Sequence, residues 1–274
     1  PPSGFIYFTP CSNSLFNFTW KINLNLTHYK NKITYLPDEK KTTVMDGHGG
    51  YMNGSRYYGE DLPINTWYMK RFAGLSEDGL SLWYYTDKET NEEKTTTTYS
   101  TGDFYLCGDP NPDLYGGFGT SITFHGFDLS TQFSYLVGGL TYDYGYAGMM
   151  GNPTATSVGN RWHKDVLKAW SPENPSSTIP RWYFNDLNTT GSSDRFLIDG
   201  SYLNLQNIQV GYTLPDSWTS HLKIKNLRLY FVCDNVYYWS KRKGLDPRRS
   251  ISGVGTSGKI APFRTYSGGI SLQF

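Results

Sequence analysis

"LFNFTWKINLNL", residues 15–26, has two faces that no single dry core could hold. Successive side chains of a strand point to opposite sides. Phe16, Phe18, Trp20, Ile22, Leu24 and Leu26 then share one side, while Asn17, Thr19, Lys21, Asn23 and Asn25 share the other. A lysine and three amides are too costly to bury without partners. The second face therefore looks onto water, and the stretch suits a barrel wall that meets lipid outside and a wet lumen inside.

Five further stretches alternate in the same way. "GGFGTSITF" (116–124) and "FDLSTQFSYLV" (127–137) are separated only by His125-Gly126, the spacing of a tight hairpin. "YLNLQNIQVGYTL" (202–214) and "NLRLYFVCDNVYYW" (226–239) flank a short connection around Pro215. In the first of these the phase slips: Leu203 and Leu205 fall on one face, and Ile208, Val210 and Tyr212 on the other. A bulge near Gln206-Asn207 and the border of the membrane zone both account for that. The sixth stretch is the terminal "YSGGISLQF", in which Tyr266, Gly268, Ile270, Leu272 and Phe274 share a face.

The composition agrees. Aromatic residues make up 17% of the 274-residue chain although only 38% is hydrophobic, and glycine occurs 29 times. That balance suits an all-β protein with aromatic girdles. A net charge of +1 gives no electrostatic capture of nucleic acid. The basic stretch "KRKGLDPRR" (241–249, with Lys243 and Arg249) reads as a solvated loop. No apolar run approaches the roughly 18 residues of a membrane helix. The opening "PPSGFIYF" lacks the pattern of a signal peptide, so the expectation is a removed leader or a chain that begins mid-protein. Cys11, Cys107 and Cys233 are odd in number and lack metal-site spacing, and they read as small hydrophobes.

Connections alternate in length. Roughly Asn31 to Tyr115, Gly138 to Ser201 and Ser240 to Thr265 are long, and the two turns between them are short. This is the layout of an outer-membrane barrel, with turns on the periplasmic side and loops outside. Six strands cannot close, because small barrels need about eight and open edges are not tolerated in lipid. Residues 1–274 therefore read as the C-terminal part of a larger barrel. If Phe274 ends at the periplasm, the strand near Leu15 runs outward.

Candidate ligand contacts lie in the loops. Trp67, Trp83, Tyr84, Tyr85, Trp162, Trp170, Trp182 and Tyr183 offer rings that stack on sugar faces, and the same rings could instead pack the loops together. Asp194 and Arg195 either pair to fix a loop or present Arg195 as a clamp for an acidic substrate. "MDGHGG" (45–50) has too few ligands for a metal site. Asp103, Asp109 and Asp113 lack the spacing argument that glycosidase chemistry needs. There is no nucleophile elbow, no phosphate loop and no Cys/His constellation. No enzyme activity, cofactor or metal is expected. Sequons occur at Asn17, Asn25, Asn53 and Asn188, two of them in strands, which speaks against glycosylation.

Several ordered stretches carry a family resemblance. "SDRFLIDGSYLNLQNIQVGYTLP" (193–215), "NLRLYFVCDNVYYWSKRKGLDP" (226–247) and the terminal "PFRTYSGGISLQF" resemble SusC/RagA-family TonB-dependent outer-membrane transporters of Bacteroidetes-type bacteria. "LNLTHYKNKITYLP" (24–37), "YYGEDLPINTWYMKRFAGLSEDGLSLWYY" (57–85) and "NPDLYGGFGTSITFHGFDLS" (111–130) extend the match, whereas the first dozen residues match nothing. Cys233-Asp234-Asn235 departs from the family, which more often has a small polar residue before its Asn-rich corner.

The resemblance implies a transmembrane antiparallel β-barrel of 22 strands, of which the last ~6 are here. It also implies a plug domain and TonB box that this stretch does not contain, a SusD-like surface lipoprotein as lid, and a dimer of such pairs. Proton-gradient energy would arrive through TonB, and the cargo would be oligosaccharides or, in the RagA branch, peptides. Substrate contacts are then expected from Trp67, Trp83, Tyr84, Trp162, Trp182 and Arg195. Tyr266, Ile270, Leu272 and Phe274 look like the barrel-assembly signal. The rival outside transport is a soluble β-sandwich that binds carbohydrate or mediates adhesion, and the polar strand faces count against it.

Overall fold

The computed structural model describes residues 3–8, 12–13, 18–157, 159, 161–186, 191–219, 223–242, 244–246, 248, 252–254 and 262–274. Cys11, Leu15, Phe16, Asn17, Asn188, Lys243 and Arg249, all singled out above, lie outside the described residues.

Strands β1 (Ser3–Phe8), β2 (Ser12–Asn13) and β3 (Phe18–Thr27) come first. The connection to residue 113 carries β4 (Thr43–Met45), β5 (His48–Asn53), β6 (Arg56–Gly59) and β7 (Thr66–Lys70). It continues through β8 (Phe72–Leu75), β9 (Ser81–Thr86), β10 (Glu93–Thr96) and β11 (Phe104–Leu106). The hairpin β12 (Leu114–Phe124) and β13 (Phe127–Val137) follows. The second long connection holds β14 (Leu140–Tyr142), helix α1 (Tyr144–Met149) and β15 (Leu197–Asp199). Then come β16 (Tyr202–Thr213), the short helix α2 (Asp216–Thr219), β17 (Asn226–Ser240) and β18 (Thr265–Gln273).

All six expected strands pair in one antiparallel sheet, in the order β1-β3-β12-β13-β16-β17-β18, with β2 alongside β3. The alternation missed β1, which hydrogen-bonds along β3 from Ser3↔Thr27 to Phe8↔Ile22. Strands β12, β13 and β16 run 11, 11 and 12 residues, long enough for a tilted strand to cross a bilayer. No helix among the described residues is long and apolar enough to cross a membrane, which says nothing of strands. His125 (φ 46°) and Gly126 (φ 85°) both take the left-handed conformation that a two-residue hairpin turn of this kind demands.

The register answers the question left open at Gln206. The pairing shifts between Leu205 and Asn207, where two residues of β17, Asn235 and Val236, face the single Gln206 of β16, and Gln206 in turn has no partner between Gln132 and Phe133 of β13. Asn235 takes φ 52° and Asn207 donates its amide to the Asp234 carboxylate at 2.7 Å. The bulge returns Leu203, Leu205, Ile208, Val210 and Tyr212 to one face of the sheet.

That face is apolar and uncovered. Phe231, Tyr266, Ile270 and Leu272 are exposed on it, and Phe274 follows them. Across the sheet the register aligns Phe18, Phe124, Phe127 and Tyr212 near the short turns. Tyr135 and Trp239 fall toward the long-loop end. Aromatic residues thus flank an aliphatic belt of Ile22, Ile122, Leu129, Val210 and Ile270, the banding of a membrane barrel. Even the polar tip of Trp20 is satisfied within this face, by Thr120 Oγ1 at 2.7 Å.

The long connections are not loose. They build a five-stranded sheet in the order β11-β7-β6-β5-β4, a three-stranded sheet β10-β9-β8 and the pair β14-β15. Trp67, Met69, Tyr142, Met150 and Phe196 form their core. Among the described residues, the buried apolar ones lie almost entirely in these loops, because the wall itself keeps its apolar face outward.

Candidate ligand-facing wall and loop body

The other face of the sheet is polar, as "LFNFTWKINLNL" predicts. Register rows place Lys21 beside Ser121, Ser130 and Gln209, and Asn23 beside Gly119, Gln132, Asn207 and Asp234. Near the short turns, Arg228 reaches over β16 to grip Asp128 with two parallel bonds, Nε to Oδ1 at 2.9 Å and Nη2 to Oδ2 at 2.6 Å. Gly211 makes this possible. A Cβ there would lie 2.5 Å from both the guanidinium and the carboxylate.

Where this wall meets the loops, a cavity of about 540 Å³ opens. Tyr29, Tyr115, Tyr202, Ser134, Gln206 and Arg248 are among its lining residues. Tyr29 and Tyr115 meet edge to face, with centroids 6.0 Å apart. A second cavity of about 440 Å³ is lined by Asn204, Tyr238 and Arg264. Arg248 borders both. It is held by Asp246 through two bonds of 2.7 Å and donates from Nη1 to Asn204 Oδ1 at 2.6 Å, with its guanidinium 4.6 Å above the Tyr238 ring.

The aromatic positions expected to bind ligand divide into two groups. Trp67 and Trp83 are buried, 0% and 2% exposed. Arg56 stacks 3.1 Å from the Trp67 ring, and the indole N–H of Trp67 donates to the Leu140 carbonyl at 3.2 Å. Trp83 packs edge-on against Phe72 and Tyr99. Both rings pack inside the loop body in this conformation. Trp162 and Trp182 form a pair 5.6 Å apart, and both donate to the Gly151 carbonyl. They and Tyr84, which carries Arg71 at 4.6 Å, stay partly exposed.

Arg195 is also enclosed. Its guanidinium sits 5.3 Å from the Phe72 ring and 5.1 Å from that of Phe196, and burial lowers its pKa to about 10. It forms no pair with Asp194, whose carboxylate instead accepts from the Phe72 amide at 2.8 Å. Burial raises the Asp194 pKa. Lys70, 4% exposed, is held by the carbonyls of Tyr99, Ser100 and Gly102. Arg56 donates to the Asn65 and Ser252 carbonyls, so the third loop is tied to the first, and burial lowers its pKa to about 10. Arg242 joins the third loop to the second through Asp143 at 2.9 Å. The Cys107 thiol is pushed up to about 11 by burial. No group of three or more His, Cys, Asp or Glu capable of holding a metal occurs among the described residues.

Comparison with known proteins gives this geometry its context. The chain is 28% identical over 94% of its length to TonB-dependent receptor P3 of Formosa agariphila and 27% identical over 89% of its length to TonB-dependent receptor P26 of the same organism. It is 26% identical to the TonB-dependent receptor SusC of Bacteroides thetaiotaomicron, a match covering 94% of this chain. Over most of its length the chain resembles TonB-dependent receptors, SusC among them. It spans about a quarter of their length, 25–27%. No family model matches it. Among solved structures, the RagAB peptide transporter superposes with a TM-score of 0.80 at 23% identity, covering 99% of this chain and 29% of that one. The RagAB peptide importer in its open-open state gives 0.72 at 24% identity. The fold of this SusC-like chain is thus the all-β barrel portion that the strand faces imply. Its relatives are named as receptors and transporters, not enzymes.

Proposed function

We propose that the protein containing this chain imports oligosaccharides across the bacterial outer membrane in a TonB-dependent manner, and that this chain is the C-terminal part of its barrel. The observation that carries the reading is the two-faced wall. A banded apolar face is left uncovered on one side, and a hydrogen-bonded polar face lines the other. A soluble sandwich would have to bury that apolar face. In this reading the loop body is extracellular and Phe274 is periplasmic. The lid is a SusD-like lipoprotein, TonB acts through the N-terminal part, and two transporter–lipoprotein pairs assemble as a dimer.

Of the expected contacts, Tyr84, Trp162 and Trp182 keep accessible surface for ligand. Trp67, Trp83 and Arg195 serve by holding the loops in shape. The exposed Tyr266, Ile270, Leu272 and Phe274 serve as the assembly signal. Import of peptides is the second reading, favoured by the match to the RagAB peptide transporter. Deleting the gene together with that of its lipoprotein partner should abolish growth on one class of oligosaccharide supplied as sole carbon source. Growth lost only on peptides would select the second reading, and normal growth on every glycan and peptide supplied would reject import.

A further inference from the structure

We infer that the cavity at the junction of wall and loops is a subsite for an uncharged sugar ring, and that Asp246 sets this preference by neutralising Arg248. The inference rests on the import reading above and deepens it.

The volume of about 540 Å³ falls within the range of about 300–1,000 Å³ common to small-molecule sites. The lining offers what a pyranose needs. Tyr29 and Tyr115 present aromatic surface, and Pro110 and Pro112 add flat apolar surface, on which the C–H face of a sugar can rest. Ser134 and Gln206 supply hydrogen-bond donors and acceptors for hydroxyls.

Arg248 is the one charged residue among the described lining residues. Its charge is not available to an anion, because Asp246 occupies Nε and Nη2 as a bidentate partner. Both members are largely enclosed, with side-chain exposures of 15% and 9%, so water screens the pair poorly. Asn204 takes a third N–H. The described residues thus take three of the five N–H groups of the guanidinium, and two are left for a ligand. They are donors fixed in place by Tyr238 and Asn204 but carrying no net charge, which suits hydroxyl oxygens. A carboxylate or sulfate would have to displace Asp246 or sit beside it, and like charges so close repel. The pair is local, two residues apart, while Asn204 is 44 residues away on the wall. Asp246 is therefore a positioning and specificity-determining residue.

The test uses the whole transporter in detergent with its lipoprotein partner. The probes share one ring and differ in charge: methyl glucoside, methyl glucuronide and, as the alternative cargo, alanine tripeptide amide. Saturation-transfer NMR measures binding, and density maps of the soaked protein show where the probe lies. The wild type should bind the glucoside in the wall cavity about tenfold more tightly than the glucuronide. Asp246→Asn keeps the shape but frees the guanidinium charge, and the preference should reverse by a similar factor. Arg248→Gln, assembled normally by the heat-modifiable mobility of its barrel, should lose both sugars from the cavity.

Equal binding of the two sugars by the wild type would overturn the inference. So would an unchanged preference in Asp246→Asn, or a cavity that takes the tripeptide and neither sugar, or none of the three. The import reading is judged separately by growth. An empty cavity in a transporter whose deletion still abolishes growth removes the subsite alone.

Discussion

Trp67→Ala is expected to cost the loop body about 3–5 kcal/mol, the range for deleting a fully enclosed large aromatic. The ring has no exposed surface and sits at the centre of the loop core, 5.8 Å from the ring of Tyr142. Removing it leaves a cavity and strips Arg56 of the surface on which its guanidinium lies. Arg56 would then be an enclosed cation whose remaining partners are the Asn65 and Ser252 carbonyls. Because Ser252 belongs to the third loop and Leu140 to the second, the damage should spread beyond the first loop. Limited proteolysis of the whole protein in detergent reads this directly. Cleavage within residues 28–113 and 138–201 should rise steeply while the barrel keeps its heat-modifiable mobility. Wild-type resistance in the variant would mean that Trp67 is not what holds the loops together.

The second large effect is expected at Gly211. In Gly211→Val, the new side chain would enter the space through which Arg228 reaches Asp128. Valine suits a strand, so backbone preference gives no penalty. The loss should come from the broken ion pair, which leaves a cation and a carboxylate facing the lumen without each other. Both keep about a quarter of their side-chain surface, 26% and 24%, which places the cost at about 2–3 kcal/mol, below that of a fully buried pair. Gly268→Ala provides the control. A Cβ at that position has only the Tyr230 carbonyl within reach, at 3.9 Å. The heat-modification midpoint of the barrel should fall for Gly211→Val and hold for Gly268→Ala. Equal midpoints would show that the Asp128–Arg228 pair adds nothing to the wall.

The wall was legible in the sequence because a barrel strand repeats every two residues and its two solvents differ. Lys21, Asn23 and Asn25 opposite Ile22, Leu24 and Leu26 set a wet face against an apolar one. The slip at Gln206 was visible too, but the alternation of β16 alone could not tell a bulge from a membrane border. Its register with both neighbours decides it, because Gln206 stands unopposed on β13 and faces two residues of β17.

The loop body was not legible, and β7 shows why. All five residues of "TWYMK" are buried, because sheet neighbours and the loop core cover both faces, so the period of two disappears. Its Lys70 reads as a surface charge yet is held by three carbonyls from residues 99 to 102. Trp67 and Trp83 look like ligand platforms for the same reason: a large aromatic in a loop carries no mark of whether its partner is a sugar or another loop. Arg248 was hidden in "KRKGLDPRR", where a basic run suggests solvent. Its anchor on Asn204 comes from a strand 44 residues earlier, a distance that no local pattern spans.

One face of this sheet is expected to meet lipid and the other a wet lumen. Spin labels placed singly from residue 128 to residue 135 of β13, in the whole transporter within a lipid bilayer, would separate the two faces. Relaxation by lipid-soluble oxygen should peak at Leu129, Thr131, Phe133 and Tyr135, and relaxation by a water-soluble nickel chelate at Asp128, Ser130, Gln132 and Ser134. Two opposed waves with a period of two residues are the expected result. Accessibilities that rise and fall together, or a wave of the opposite phase, would contradict the account.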